Sequence, residues 1–550
     1  MDPLVVTKSP WQRFRGAAFI PAGVALLAVT SIFHFWRIGS APPGFYCDES
    51  ANAYNAYCIA KTGADEYGVR LPVFFRCCDD DRGRRTGWCD SMMIYPRAPF
   101  MAAFGLQKWA ARLPDALMGI LASIVFALLV LEYCPNRWLA VASGFCFSLI
   151  PWQFVVSRIA VGGYTPLVLG LTSGWLLALL AFRKNSYCCA ILSGAAWALA
   201  MYSYSVGRPM TVLLLICLAV SYFRDLKKQW KLGLALVVGW IGCLVPLILA
   251  VARTPGVLTS RFQMVGIFQD NVGWNSILSG VAARYLEYFS PQFLFLKGDT
   301  NLRLHTGFGG ELFRFLVPMV VAGCYCLIRR IRTEPSYRFL GLGLLVYPAA
   351  AALTDDHFHS GRCINGVVFW VLTAAIGAYF LLQKRDMGRK LLVLACLAGV
   401  IEVALYLKDY FGGYQIRSRV AFSAPFTESL EDCFRSLDTS NTLYISLSAV
   451  APLVGVNVNR EFKPITYEDI LFFGKIDPRE YQQSGIPGNR VRLYEGTIDT
   501  PGLLLRTNMR LLKMVQGETV TIPEPVPPST KLLETKPVLE DIQYEVYQVR

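Results

Sequence analysis

Apolar stretches about as long as a bilayer is thick recur along this chain, and they exclude nearly every architecture except a polytopic bundle of membrane helices. Crossing the hydrocarbon takes about 20 such residues in a helix. Eleven runs approach that length, at 18–36, 113–133, 138–156, 164–182, 187–205, 210–223, 232–251, 312–328, 339–353, 364–382 and 391–407. With 54% hydrophobic and 17% charged residues over 550 positions, too little polar surface remains for a soluble protein of this size. The expected fold class is therefore a polytopic α-helical membrane protein with about 11 transmembrane helices.

The formal net charge of +14 could suggest nucleic acid, but the basic residues are not pooled in one patch, so no nucleic-acid partner is expected. Arg183 and Lys184, Arg224 with Lys227 and Lys228, Arg329, Arg330 and Arg332, then Lys384, Arg385, Arg389 and Lys390 fall in every second connection. That alternation is what the positive-inside rule assigns to the cytoplasm. Lys8, Arg13 and Arg15 put the amino terminus on the same side. Eleven crossings then leave the carboxyl-terminal stretch and the loop bearing Asp48 outside a plasma (inner) membrane. The first run lacks a small-residue cleavage site before Asp48 and reads as an uncleaved signal anchor.

Three outside segments are long enough to carry function: 37–111, 253–311 and the tail 408–550, which follows a membrane domain spanning 1–407. In the first, "ESANAYNAYCIAKTG" has apolar positions at helical spacing and suits a short helix at the membrane surface. The second is rich in aromatics that fit the interface. In the tail, "TLYISLSAV", "RVRLYEG" and "YEVYQVR" alternate as strands do, while "SLEDCFRSL" and "YEDILFF" read as short helices. A small extracytoplasmic α/β domain is implied, with "TIPEPVPPST" as a proline-rich connector. Cys47, Cys58, Cys77, Cys78 and Cys89 crowd the first loop, and Cys363 and Cys433 lie on the same side. An oxidising compartment makes disulfide staples the expectation there, rather than a metal site, since no paired Cys or Cys/His spacing is present.

Asp48 and Glu49 stand just past the first run, followed by a second pair, Asp65 and Glu66. Carboxylates this close to hydrocarbon need water, partners or chemistry to hold them. Asp48 also sits where a helix N-cap would, which is the purely structural reading of it. The outside loops supply the opposite charge: Arg112, Arg208, Lys297, Arg303 and His305, then His357, His359 and Arg362. One arginine at a helix end is commonly a snorkelling anchor. Several on the face opposite the positive-inside bias imply a phosphate-bearing ligand, which guanidinium groups grip through paired hydrogen bonds.

The ordered set "PPGFYCDESANAYNAYCIAKTGADEYGVRLPVFF", "ARLPDALMG", "YSYSVGR", "EYFSPQFLFLKGDTNLR" and "HFHSGR" resembles glycosyltransferase family 39, the protein O-mannosyltransferase and aminoarabinose-transferase type, over roughly residues 10–410. The resemblance implies the GT-C fold and transfer of a sugar, with inversion, from a polyprenyl-phosphate donor to an acceptor hydroxyl of a protein, lipid or glycan at the outer membrane face. It further implies Asp48 as catalytic base with Glu49 as companion. Arg112, Arg303, His359 and Arg362 become candidates for the donor phosphate, joined by Arg208 and His305, while Asp65 and Glu66 would order the loop or the acceptor. No tightly bound cofactor is implied beyond the lipid-linked donor, and a divalent metal is left open. Many relatives carry another acid between the third and fourth spans, where this chain reads "VVSRIAVGGYTP" with Arg158 and no carboxylate.

Two other classes compete. A transporter or flippase of a lipid-linked or anionic substrate would place ionisable groups inside the spans, where Glu402 is the main one here. A catalytically silent relative would use the tail as a binding scaffold.

Overall fold

The computed structural model describes residues 19–77, 87–259, 262, 266–267, 273–384, 386–438, 441–446, 449, 467–487, 490–494, 498–508, 511–515, 518–522, 526, 530–539 and 542–549. The cations of the amino terminus, Cys78 and most of the proline-rich connector lie outside the described residues. Two compact units emerge, one from 1–38, 90–93 and 112–414, the other from 39–89, 94–111 and 415–550.

In the first unit every one of the eleven apolar runs is helical, beginning with Phe19–Phe35 and ending with Met387–Phe411. Among the described residues, five helices are long and apolar enough to cross a membrane: Lys108–Tyr133, Tyr164–Lys184, Trp230–Arg253, Gly366–Gln383 and Met387–Arg417. A sixth crossing results if Arg137–Leu149 and Pro151–Arg158, bent by 59° at their junction, form one span. The chain is thus a multi-pass membrane protein, with fewer helices of that length among the described residues than the eleven expected. The bend has a chemical cause, because Pro151 offers no backbone N–H to continue the preceding helix. Shorter helices such as Val317–Arg330, with 14 residues, rise only about 21 Å at the usual pitch.

Glycines set how closely the helices approach. Between Val317–Arg330 and Gly366–Gln383, a Cβ on Gly323 would fall 1.9 Å from the Thr373 carbonyl oxygen, and one on Gly377 would fall 1.8 Å from that of Met319. Tyr187–Met201 and Trp230–Arg253 repeat the device: Gly194 and Gly239 leave room for the carbonyls of Leu236 and Ile191, at 2.0 and 2.1 Å from the missing Cβ atoms. Such backbone-to-backbone contact is how helices gain packing energy where no hydrophobic effect drives them together. Glu402, the acid within the last span, accepts the N–H groups of Arg314 and Phe315 at 3.0 Å each. It caps the start of a neighbouring helix, so the residue that most favoured a transporter has a structural task.

In the second unit, five strands pair in the spatial order Val491–Tyr494, Thr442–Ser446, Gly502–Thr507, Ile542–Val549, Thr530–Leu539, with the first three parallel and the rest antiparallel. Helices Ala424–Ser436 and Tyr467–Phe473 lie where the alternation and helical spacing of the tail placed them. The loop helix, Cys47–Thr62, is not a membrane-surface helix: ten of its sixteen residues are buried. Its Ala, Ser and Asn side chains are small enough for neighbours to close over several faces. Tyr54 donates to the Ile476 carbonyl at 3.3 Å, Ser50 to the Asp469 carboxyl, and Phe45, just ahead of the helix, stacks on Phe472 at 4.7 Å.

Cys47, Cys58, Cys89, Cys363 and Cys433 are free thiols in the structure, against the expectation of staples. Cys47 and Cys58 are eleven residues apart on one helix, a rise of about 16 Å that no disulfide can bridge. Burial also pushes both thiols well above the ordinary range.

Candidate active site

The candidate residues fall in both units. Asp48, Glu49, Asp65 and Glu66 belong to the second, whereas Arg112, Arg208, Arg303, His305, His359 and Arg362 belong to the first.

The adjacent pair Asp48 and Glu49 divides its labour by one residue of helix register. The N-cap is Tyr46, not Asp48. Glu49, three residues on and fully buried, accepts the Tyr46 N–H at 3.1 Å, the half of a capping box that a glutamate supplies. Asp48 occupies the second helical position and is half-buried, with the Cys47 thiol 3.8 Å from Oδ1. Negative charge is favoured on this first turn by the exposed N–H groups and the helix dipole.

Asp65 and Glu66 are both buried. Asp65 Oδ1 accepts the N–H groups of Tyr67 and Val69 at 3.0 and 2.8 Å, tying the turn after the helix. Glu66 Oε1 accepts the Tyr467 hydroxyl at 2.9 Å, and the Glu66 N–H donates to Asn55 at 3.1 Å. Burial raises the pKa of both, with the nearby charge of Glu468 adding to the effect at Glu66. These contacts make the second pair a fastener of the loop.

In the first unit, two fully buried arginines gather the carbonyls where the first helix ends. A helix leaves its last four carbonyls without intrahelical partners. Here those of Ile32 and Phe35 receive the N–H groups of Trp36 and Ile38 at 2.8 and 3.2 Å. The carbonyl of His34 accepts from Arg158 Nη1 at 2.6 Å, and that of Phe33 from the same nitrogen. Arg158 Nη2 reaches the Trp36 carbonyl at 2.8 Å, its Nε reaches the Tyr410 hydroxyl at 3.1 Å, and Arg112 Nη1 donates to the Ile38 carbonyl at 3.2 Å. The arginine that sequence reading left without a role is thus the C-terminal cap of the first helix.

Arg208 is ion-paired with Asp90, an acid of the 37–111 loop that sequence reading did not single out. Arg362 pairs with Asp356 at 2.5 Å and follows His359, whose Nδ1 accepts the Arg362 N–H at 3.3 Å as the cap of a short 3-10 turn. Arg303 is half-buried in the turn opened by Asp299 and Asn301. His305 is fully buried, with Nδ1 accepting from the Gly307 N–H at 3.0 Å and Nε2 3.3 Å from the Gly310 carbonyl. That pattern fixes the neutral Nε2–H tautomer, and burial lowers the ring pKa to about 4. With both nitrogens engaged by backbone groups, the His305 ring ties the 305–310 segment together. Among the described residues no three His, Cys, Asp or Glu side chains are placed to hold a metal ion.

Comparison with known proteins gives this arrangement its class. The ArnT structure from Cupriavidus metallidurans in the apo state superposes with a TM-score of 0.53 at 13% identity, covering 89% of this chain and 93% of that one. The same protein bound to undecaprenyl phosphate gives 0.51 at 13% identity, over 96% and 97%. The likeness shows that the chain shares the GT-C fold of ArnT. Residues 92–249 match the family model of dolichyl-phosphate-mannose-protein mannosyltransferases. No curated protein sequence matches the chain.

Proposed function

We propose that this protein transfers a sugar from a polyprenyl-phosphate carrier to an acceptor hydroxyl at the outer face of the inner membrane, inverting the anomeric centre, with Asp48 as general base. The observation that carries the reading is the division between two adjacent acids: Glu49 is buried in a cap, while Asp48 stays half-exposed on the same turn. Undecaprenyl phosphate in the ArnT structure of the same fold supports the donor class.

In the reaction, the acceptor hydroxyl attacks the anomeric carbon as its proton passes to an Asp48 oxygen, and the bond from that carbon to the phosphate oxygen breaks. The carrier phosphate leaves with the electron pair. A phosphate leaving group needs charge stabilisation more than a proton; Arg112, Arg208, Arg303 and Arg362, with His359, are the candidates to supply it. A single displacement needs one carboxylate, unlike the paired carboxylates of a retaining glycosidase.

The test is transfer by purified protein in nanodiscs, using a radiolabelled polyprenyl-phosphate sugar. Asp48→Asn is expected to lower transfer by about 10²–10⁴-fold, the usual span for a lost general base. Transfer at the native rate in that variant would overturn the assignment of the base. Carrier movement across the bilayer without any glycosylated product would overturn the enzyme reading altogether.

A further inference from the structure

We infer that the second unit carries a separate binding site for a phosphate-bearing headgroup, in a cavity of about 330 Å³ lined by Lys108, Glu431, Arg435, Phe473, Lys475 and Arg490. These residues come from four separate stretches of chain, so their convergence is a property of the fold. Four cations face one carboxylate. Lys108 pairs with Glu431 at 2.8 Å and lies 5.7 Å from the Phe473 ring centre, and Arg435 is held by Glu431 and Asp432 at 3.4 and 3.1 Å. Lys475 and Arg490 form no ion pair among the described residues, yet both line the same concave surface. Collecting like charges costs free energy, and an anion seated among them recovers it.

Two further observations favour a ligand over a solvated basic surface. The wall beside the cations is aromatic, through Phe473 and Phe434, and offers an apolar shelf for the carbon skeleton of a headgroup. Lys108 is also the first residue of a membrane-crossing helix, flanked by exposed Trp109 and Phe104. Such aromatics settle at the lipid–water boundary, so a lipid phosphate is one candidate occupant. A soluble sugar phosphate and a phospholipid head present the same chemistry, and the experiment separates them.

Full-length protein would be titrated with glucose 6-phosphate by calorimetry in detergent. In parallel it would be placed in nanodiscs of increasing phosphatidylglycerol content, with retained lipid counted by native mass spectrometry. Lys475→Ala/Arg490→Ala is the test variant and Arg479→Ala, at an exposed position outside the cavity, the control. Saturable binding in either arm should weaken by about tenfold or more in the double variant, as expected for lost charge-assisted hydrogen bonds. The control should bind as the native protein does, at matched melting temperatures. Binding in the first arm alone identifies a soluble ligand, and in the second a lipid. No saturable binding in either arm, or equal loss in the control, would overturn the proposal.

Discussion

At the scale of single residues, the structure separates side chains that the sequence can only list together. "CDES" marks an acidic pair, but which acid caps and which faces water depends on where the helix begins, and a shift of one position exchanges the roles. The start at Tyr46 assigns the cap to Glu49. Glu49→Ala should therefore lower the melting temperature, reflecting about 1–2 kcal/mol of lost capping. Asp48→Asn should leave melting nearly unchanged while transfer falls, so the two variants separate in paired thermal and activity assays. Arg158 makes a parallel case: its three carbonyl partners lie more than 120 residues away in the chain, so no local pattern announces it. Arg158→Met leaves those acceptors unsatisfied in a dry setting and should cost about 3 kcal/mol or more, read as a lower unfolding temperature in detergent. Arg158→Lys should recover only part of that, because one ammonium cannot span three carbonyls.

At the scale of elements, the apolar periodicity predicts where helices and strands form, since both rest on local pattern. Their ends and environment are less legible: the loop helix is composed like a surface helix and is buried, because what covers it lies about 400 residues further on. The turn 297–311 shows how an element can balance opposed charges. Burial raises Asp299 from 3.8 to about 6, and Glu311 moves the same way. An acid with a raised folded-state pKa keeps its proton longer when folded, so its contribution is greatest in acid and declines as pH climbs through that window. His305, lowered from 6.5 to about 4, does the reverse: its contribution is complete above the upper value and is lost on acidification. Each amounts to about 3 kcal/mol at its limit. Measured against the native protein at each pH in detergent-based thermal scans, the melting temperature of Asp299→Asn should therefore gain from pH 4 to 6.5, and that of His305→Gln should lose over the same range.

At the scale of the whole molecule, most of the loop after the first helix and the tail form one compact unit, although most of the chain runs between them. Hydropathy delimits a membrane part and a polar tail, but says nothing of which loop the tail joins, because that choice rests on contacts such as Tyr467 with Glu66. A chain ending at residue 414 should consequently lose transfer and elute as aggregate in size-exclusion chromatography, despite retaining every candidate residue, since Phe45 and Tyr54 would forfeit their partners. The basic cavity escaped sequence reading for the same reason, its cations being spread from position 108 to 490. The reciprocal glycines of the two helix pairs set a limit on motion. Where two main chains touch at matched notches, a slip along the axis drives carbonyl into Cα, so neither pair can act as a sliding rail. Any relative motion within this bundle would then have to be taken up at joints, such as the 59° bend ahead of Pro151.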